Sequence, residues 1–297
     1  LSGLRVDTLP YADKEFTARF MRELTREYPK LNIVGEEWST NPAIVSYWQR
    51  GKHNLDGFAG DVPSLMDFPF QAALVNALRN EETWGTGMIE LYQAVANDFQ
   101  FPDPHNLVII ADNHDMSRLL TQLDEDTELL NVAVSILLTM RGIPQIFYGT
   151  EILMSNQGSE SHGVIRSNFP GGWVGDKVNA FNGQGLNSKQ TRSLDFFTRL
   201  LQWRKTASAI HDGRLTQYVP KQGVYVYFRT NAEQTVMVVA NKNSQNVEID
   251  LVRFIESIAD HQSAKDILTD QTHALADKLV VPAKRAMVLE LHKASTN

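Results

Sequence analysis

The sequence predicts an α/β protein in which a parallel β-sheet with flanking helices is followed by a separate antiparallel β domain. Over the first 206 residues, short apolar runs alternate with helical patterns, which is typical of strand–helix–strand units. After about residue 207, β-branched and aromatic runs alternate with polar turns, which indicates antiparallel strands. We therefore predict two domains, at 1–206 and 207–297, the second a β-sandwich.

The elements of the first domain follow from the spacing of apolar residues. Strands are predicted at 3–7, 31–37, 64–68, 106–112 and 143–149. Helices are predicted where apolar residues recur every three or four positions, at 13–28, 69–80, 88–98, 126–141 and 187–206. Five strands are too few for a closed (β/α)8 barrel, so the pattern alone leaves a doubly wound sheet open. No glycine-rich phosphate loop follows the first strand, however.

The strands of the second domain are predicted from five short runs. These runs are LTQYVP, GVYVYFRT, TVMVVANK, NVEIDL and AMVLELH, and the turns between them include KQG, TNAEQ and NKNSQN.

Composition and charge exclude several classes of function. The 297 residues include 28 basic and 35 acidic side chains, a net charge of −7, which disfavours nucleic-acid binding. The absence of cysteine excludes disulfides, thiolate metal sites and cysteine nucleophiles. The longest apolar stretch, 129–140, is too short to span a bilayer. The sequence starts in a strand-like run without a Met, so we expect it to be part of a longer protein.

Acidic residues follow several of the predicted strands directly. Asp7, Glu36 and Asp115 do so, and Arg5 and His114 accompany two of them. The carboxyl ends of parallel strands lie on one face of a sheet, so these groups should converge there, where close carboxyl groups acquire separate pKa values. A pair of this kind suits glycosidic-bond cleavage, with one group as acid and the other as nucleophile or stabiliser.

Each of these residues also has a simpler interpretation. A single Asp at the end of a strand is more often a helix cap, and GLRVD alone is equally consistent with a structural ion pair. DNHD at 112–115 is a candidate metal cluster, although adjacent strand residues alternate faces and one ion rarely collects all four. The argument for catalysis therefore depends on the whole set.

Four blocks in order, GLRVD, GEEW, ADNHD and GIPQIFYGTE, resemble the last conserved blocks of the α-amylase superfamily of retaining glycoside hydrolases. SLMDFPF and NFPGGWVGDKVNAF are most similar to cyclomaltodextrinases and neopullulanases. The resemblance implies the C-terminal part, strands four to eight, of a (β/α)8 TIM barrel, followed by an antiparallel β-sandwich. The first three strands of such a barrel lie outside this sequence.

The resemblance also implies roles for individual residues. Asp7 would be the nucleophile with Arg5 paired to it, Glu36 the general acid/base, and Asp115 the stabiliser of the transition state with His114 beside it as a hydrogen-bond donor. Glu37 should point away from the site, because neighbouring strand residues face opposite sides.

Three aromatic residues are further candidates for substrate binding. Tyr11 stands where many relatives have a histidine, and Trp38 directly follows GEE. Trp173 lies with Phe169 in the loop 155–184, where aromatic rings could stack on sugars or merely pack within the loop.

The function implied is a retaining α-glucan hydrolase that cleaves α-1,4 bonds of cyclomaltodextrins, pullulan or maltooligosaccharides by double displacement. The expected partner is an α-glucan oligosaccharide; no organic cofactor and no metal site are expected, and calcium is left open for a full-length enzyme only. A homodimer is left open, and the resemblance favours a periplasmic or extracytoplasmic bacterial location. The chain alone is expected to be inactive. The alternative is a non-catalytic sugar-binding relative of the same fold.

Overall fold

The computed structural model describes residues 2–293, and its first part is a parallel sheet of five strands. The strands are β1 Gly3–Val6, β2 Asn32–Gly35, β3 Ser64–Asp67, β4 Val108–Ile110 and β5 Ile143–Gln145. Their order in the sheet is the order of the chain, and all neighbouring pairs are parallel. This is the strand order of a barrel, whereas a doubly wound sheet reverses direction at a switch point. The doubly wound alternative therefore does not apply.

Helices lie between and after these strands. Their bounds are α1 Lys14–Glu27, α2 Pro42–Ser46, α3 Phe68–Arg79, α4 Met88–Ala96, α5 Leu119–Gln122, α6 Thr127–Thr139, α7 His162–Ile165, α8 Ser188–Arg204, α9 Ser208–Asp212 and, in the second domain, α10 Ile255–Ile258. The five helices predicted from the sequence correspond to α1, α3, α4, α6 and α8. Within residues 2–293 no helix has both the length and the apolar character that a bilayer crossing requires.

The two faces of the parallel sheet bury different residues. Ile33 and Leu65 pack with helix α1, and Ile109 packs with helices α3 and α6. Their strand neighbours Val34, Met66, Val108 and Ile110 form a separate cluster with Phe68 on the face away from the helices. This alternation follows from the period of two in a strand, and the second cluster defines the inner face of the sheet.

The antiparallel part contains a six-stranded sheet and a two-stranded sheet. The six-stranded sheet has the order β11-β10-β13-β8-β7-β6, and β12 pairs with β9. The bounds are β6 Arg214–Lys221, β7 Val224–Thr230, β8 Thr235–Asn241, β9 Val247–Asp250, β10 His261–Asp266, β11 Thr272–Ala274, β12 Lys278–Val281 and β13 Arg285–Lys293. The five predicted strands are present as β6, β7, β8, β9 and β13, and the strands β10, β11 and β12 were not predicted.

Both faces of the six-stranded sheet are covered. Val226 and Phe228 in β7 pack with Ile249 and Val281 of the two-stranded sheet. Tyr227, between them in sequence, faces the helices of the first part, and its hydroxyl shares a 2.5 Å hydrogen bond with Thr139 in α6. The antiparallel sheet therefore shares a core with the parallel part, and its second layer is a short ribbon.

Candidate active site

The ends of β1 and β2 bring two carboxyl groups onto one guanidinium. Arg5 Nη1 lies 2.8 Å from Asp7 Oδ1, and Arg5 Nη2 lies 2.5 Å from Glu36 Oε1. Arg5 pairs with Val34 in the parallel register, so it lies on the inner face, and Glu36 follows Val34 by two residues. The Glu36 side chain is buried, whereas the Asp7 side chain is 65 % exposed. Arg5 thus contacts both carboxyl groups and not Asp7 alone.

A strained backbone position adds a second donor to Glu36. Thr8 has φ 47° and ψ 43°, the left-handed region that β-branched residues rarely adopt. In this conformation its backbone N–H donates to Glu36 Oε2 at 3.1 Å. The two oxygens of Glu36 are therefore held by different donors, and its carboxyl plane is fixed.

The pKa of Asp7 lies below its ordinary value. The main cause is a hydrogen bond shared with the Glu36 carboxyl group, followed by the hydrogen bond from Arg5. The positive potential of His114 also contributes. The lowered pKa favours the ionised form of Asp7, which a nucleophilic carboxylate requires. The effect of His114 also indicates that the loop after β4 lies close to the end of β1.

Glu37 points to the opposite side from Glu36. It is buried at 8 % exposure, and Trp48 Nε1 donates to its Oε2 at 2.9 Å. Burial raises the pKa of Glu37, and the Trp48 hydrogen bond only partly opposes this. Trp48 packs in the outer cluster with helix α1, so Glu37 belongs to the helix side of the sheet.

The loop after β4 presents His114 and Asp115, and a later loop binds them. His114 Nε2 lies 3.0 Å from Asp115 Oδ2, while Arg166 Nη2 lies 2.5 Å from Asp115 Oδ1. The Oδ1 of Asn113 accepts the backbone N–H of Asp115 at 2.8 Å, which closes a tight turn. His162 Nδ1 is 2.6 Å from Arg166 Nη2. The Asp115 carboxylate therefore pairs with Arg166 through Oδ1, where His162 Nδ1 also lies 3.9 Å away, and contacts His114 through Oδ2.

Another acidic residue at a strand end, Asp67, has a structural role. Its Oδ1 accepts the backbone N–H of Phe70 at the start of α3, and its Oδ2 binds Arg141 Nη1 at 2.7 Å. Arg141 also binds Asp98 through Nε at 2.9 Å. Asp67, Arg141 and Asp98 therefore pair with one another in a network on the helix side of the sheet.

The three aromatic candidates have different surroundings. Trp38 stacks on Phe68 with a 4.5 Å centroid separation and is 48 % exposed, so one ring face remains open above the inner cluster. Tyr11 is 89 % exposed. The backbone N–H of Trp173 binds Asp176 in its own loop at 3.1 Å, and its ring is exposed. Among the hydrogen bonds of the described residues, none joins the Tyr11 or Trp173 side chain to the carboxyl groups.

No group of three or more His, Cys, Asp or Glu side chains within residues 2–293 is arranged to hold a metal ion. DNHD lies beyond the end of β4 at Ile110, and its two aspartates have different partners. Asp112 caps Leu119, whereas Asp115 binds Arg166.

Sequence reasoning missed Thr8, His162 and Arg166. The only available signal for the latter two was a basic pair four residues apart, HGVIR, in the loop noted for its aromatic residues. The conformation of Thr8 had no signal, because a β-branched residue is an unfavourable choice there.

Comparison with known families gives the class of protein that this fold and site represent. Residues 7–237 match the model described as alpha amylase, catalytic domain, and residues 215–290 match the cyclo-malto-dextrinase C-terminal domain. Because the first match covers well over half of the chain, the chain belongs to the alpha-amylase family. The resemblance inferred from its motifs is confirmed.

The curated relatives and solved structures agree with this assignment. The chain is 28 % identical to the maltogenic alpha-amylase of Bacillus acidopullulyticus and 26 % identical to the cyclomaltodextrin glucanotransferase of Geobacillus stearothermophilus, over 84 % and 83 % of its length. It spans only 39 % and 31 % of those relatives. The alpha-amylase of Geobacillus thermoleovorans complexed with acarbose shares the fold, with a TM-score of 0.79, 20 % identity and coverage of 99 % of this chain and 61 % of that one.

Proposed function

We propose that this chain supplies the catalytic carboxyl groups of a retaining α-glucan hydrolase that cleaves α-1,4-glucosidic bonds. In this proposal Asp7 is the nucleophile, Glu36 the general acid/base and Asp115 the stabiliser of the transition state. The substrates would be cyclomaltodextrins, pullulan or maltooligosaccharides. The relatives named maltogenic alpha-amylase and cyclomaltodextrin glucanotransferase support this substrate class.

The contact of Arg5 with both carboxyl groups carries the proposal. A retaining enzyme needs its two carboxyl groups about 5 to 5.5 Å apart, whereas an inverting enzyme separates them by roughly 6.5 to 9.5 Å to admit a water molecule. Asp7 and Glu36 bind the two terminal nitrogens of one guanidinium, and this proximity supports the shorter separation of a retaining enzyme. The lowered pKa of Asp7 suits a nucleophile that must be ionised.

The mechanism then divides between the two groups. Asp7 attacks the anomeric carbon and forms a glycosyl ester while Glu36 protonates the leaving oxygen, and the glycosidic bond breaks. Glu36 next takes a proton from water, whose oxygen displaces Asp7 and regenerates the carboxylate. The two inversions at the anomeric carbon together retain its configuration. Trp38, with one face open beside Glu36, is the proposed stacking surface for a sugar ring, and Tyr11 and Trp173 remain candidates for more distant contacts.

The test is Asp7→Asn in the longest natural chain that contains this sequence. We expect hydrolysis of β-cyclodextrin and maltotriose to fall by at least about 10⁴-fold, while maltotriose binding, measured by calorimetry, persists. Asp124→Asn is the matched control, because Asp124 is an exposed partner of Arg79, and it should leave turnover unchanged. Retained turnover in the Asp7 variant, or initial release of the β-anomer by the unmodified enzyme, would refute the assignment.

A further inference from the structure

Arg166 joins two loops that follow neighbouring strands. It lies directly after α7 in the loop that follows β5, and its two contacts lie in the loop that follows β4. Its Nη2 binds Asp115 Oδ1 at 2.5 Å, and its Nε donates to the backbone carbonyl of His114 at 2.9 Å. A guanidinium can make both contacts at once because its donors form a rigid fork. Arg166 therefore fixes both the main chain and the carboxylate of this segment.

The contacts on Asp115 restrict the rotation of its carboxylate. Oδ1 is bound by Arg166, and Oδ2 lies 3.0 Å from His114 Nε2. His162, on the same short helix α7, places its Nδ1 2.6 Å from Arg166 Nη2. Rotation of the Asp115 carboxylate would break one of the two contacts on its oxygens.

A second arginine, Arg118, holds the chain next to Arg166. Arg118 is fully buried, and its Nε donates to the carbonyl of Ile165 at 2.9 Å, while its Nη1 donates to the carbonyl of Tyr148 at 2.6 Å. Its guanidinium also lies 4.4 Å from the centroid of the Phe147 ring. Since Ile165 precedes Arg166, Arg118 anchors the backbone from which Arg166 reaches Asp115.

We propose that Arg166 is a positioning residue for Asp115, and that the Arg118–Ile165 contact supports it. The inference rests on the proposed function, in which Asp115 binds sugar hydroxyls as the transition state forms. A carboxylate that is free to rotate would make those contacts less often, and a misplacement of about 1 Å can cost about 10²-fold in rate. Arg166 itself need not touch the substrate, because its effect is transmitted through the orientation of Asp115.

The test compares Arg166→Gln, Arg166→Lys and Arg166→Ala with the control Arg79→Gln in the longest natural chain that contains this sequence. Arg79 is a suitable control because it also pairs with one aspartate and its side chain is 47 % exposed, against 44 % for Arg166. With β-cyclodextrin as substrate, we expect Arg166→Gln to lower kcat about 10²-fold with little change in KM. Lysine should restore part of this loss, and added guanidinium ion should partly rescue the alanine variant. Arg79→Gln should behave as the unmodified enzyme.

Asp115→Asn separates this inference from the proposed function. If Asp115→Asn keeps normal turnover, the proposed role of Asp115 fails. If it is inactive while Arg166→Gln keeps a normal kcat, only the positioning role fails. A higher kcat/KM in Arg166→Gln would mean that Arg166 obstructs the site, and this too would overturn the proposal. Should the glutamine variant lose its native circular dichroism, Arg166→Lys decides: a reduced kcat with a native spectrum supports the role, and a normal kcat refutes it.

Discussion

Burial of Asp112 should make the stability of this fold depend on pH. Asp112 follows β4, is 2 % exposed, and accepts the backbone N–H of Leu119 at the start of α5 at 2.7 Å. Burial raises the pKa of Asp112 to about 7, against an ordinary value of 3.8, although the Leu119 hydrogen bond and the charge of Arg118 oppose the rise. The folded state therefore retains a proton on Asp112 that the unfolded chain loses.

The sign and size of the effect follow from this difference in pKa. Between about pH 4 and 7 the folded state binds the Asp112 proton and the unfolded state does not, so stability falls as the pH rises. The contribution of protonated Asp112 to stability is complete below the pKa of Asp112 in the unfolded chain. It is lost by the time the pH reaches the pKa of Asp112 in the folded state. A rise in pKa from 3.8 to about 7, at about 1.36 kcal/mol for each pH unit, corresponds to about 4 kcal/mol in the free energy of unfolding.

Asp112→Asn tests this prediction, because the asparagine Oδ1 can still accept the Leu119 N–H. Urea denaturation at about pH 4, 5.5 and 7 should show the variant gaining roughly 4 kcal/mol relative to the unmodified protein across the range. Asp126→Asn is the control: Asp126 also caps a helix, but hydrogen bonds from Lys284 and the backbone outweigh its burial and lower its pKa. The stability difference between Asp126→Asn and the unmodified protein should therefore change with pH in the opposite direction. A stability difference for Asp112→Asn that stays constant with pH would refute the reasoning.

The remaining predictions concern the acid/base, the buried arginine and the isolated chain. Glu36→Gln should lower kcat on β-cyclodextrin by about 10² to 10⁴-fold. Glu37→Gln should lower kcat by less than about tenfold, because the glutamine still accepts the hydrogen bond from Trp48. The reverse order would show that the wrong acid was chosen. Arg141→Met leaves Asp67 buried without its partner and should lower the free energy of unfolding by about 3 to 5 kcal/mol in urea; a change below about 1 kcal/mol would contradict this. Within residues 2–293 the outer edges of β1 and β5 have no strand partner. We therefore expect that the 297-residue chain alone does not hydrolyse β-cyclodextrin, and measured turnover would refute this.

The order of the elements was predictable because the apolar periodicity is strong where helices and strands bury one face. Helix α1 was expected at 13–28 and is found at Lys14–Glu27, with Asp13 as its cap and Pro29 just beyond its end. Strands β10, β11 and β12 were not predicted. β10 reads HQSAKD and β11 reads THA, so their polar composition gives no alternating pattern. The pairing of β10 with β13, and of β11 with β10, is a tertiary effect.

The site was predictable only in part. The spacing of Arg5 and Asp7 on one strand determines that they share a face, and the structure contains their ion pair. The second contact of Arg5, with Glu36, depends on the register between β1 and β2, which the sequence does not state. The contact of Arg166 with Asp115 crosses 51 residues between two irregular loops, where no periodicity exists to guide a prediction.

The direction of each strand explains why similar acidic residues at strand ends have different surroundings. Glu36 is two residues after the inner-face Val34 and therefore joins Arg5, whereas Glu37 is three after it and meets Trp48 on the helix side. Asp67 is one residue after the inner-face Met66, so it too turns toward the helices, where it binds a buried arginine. Within or directly after a strand, the distance of an acidic residue from an inner-face residue therefore decides which side of the sheet it meets, whereas Asp115 lies in the loop five residues beyond Ile110, where this alternation no longer applies. This criterion can be applied to a sequence once one inner-face residue is known.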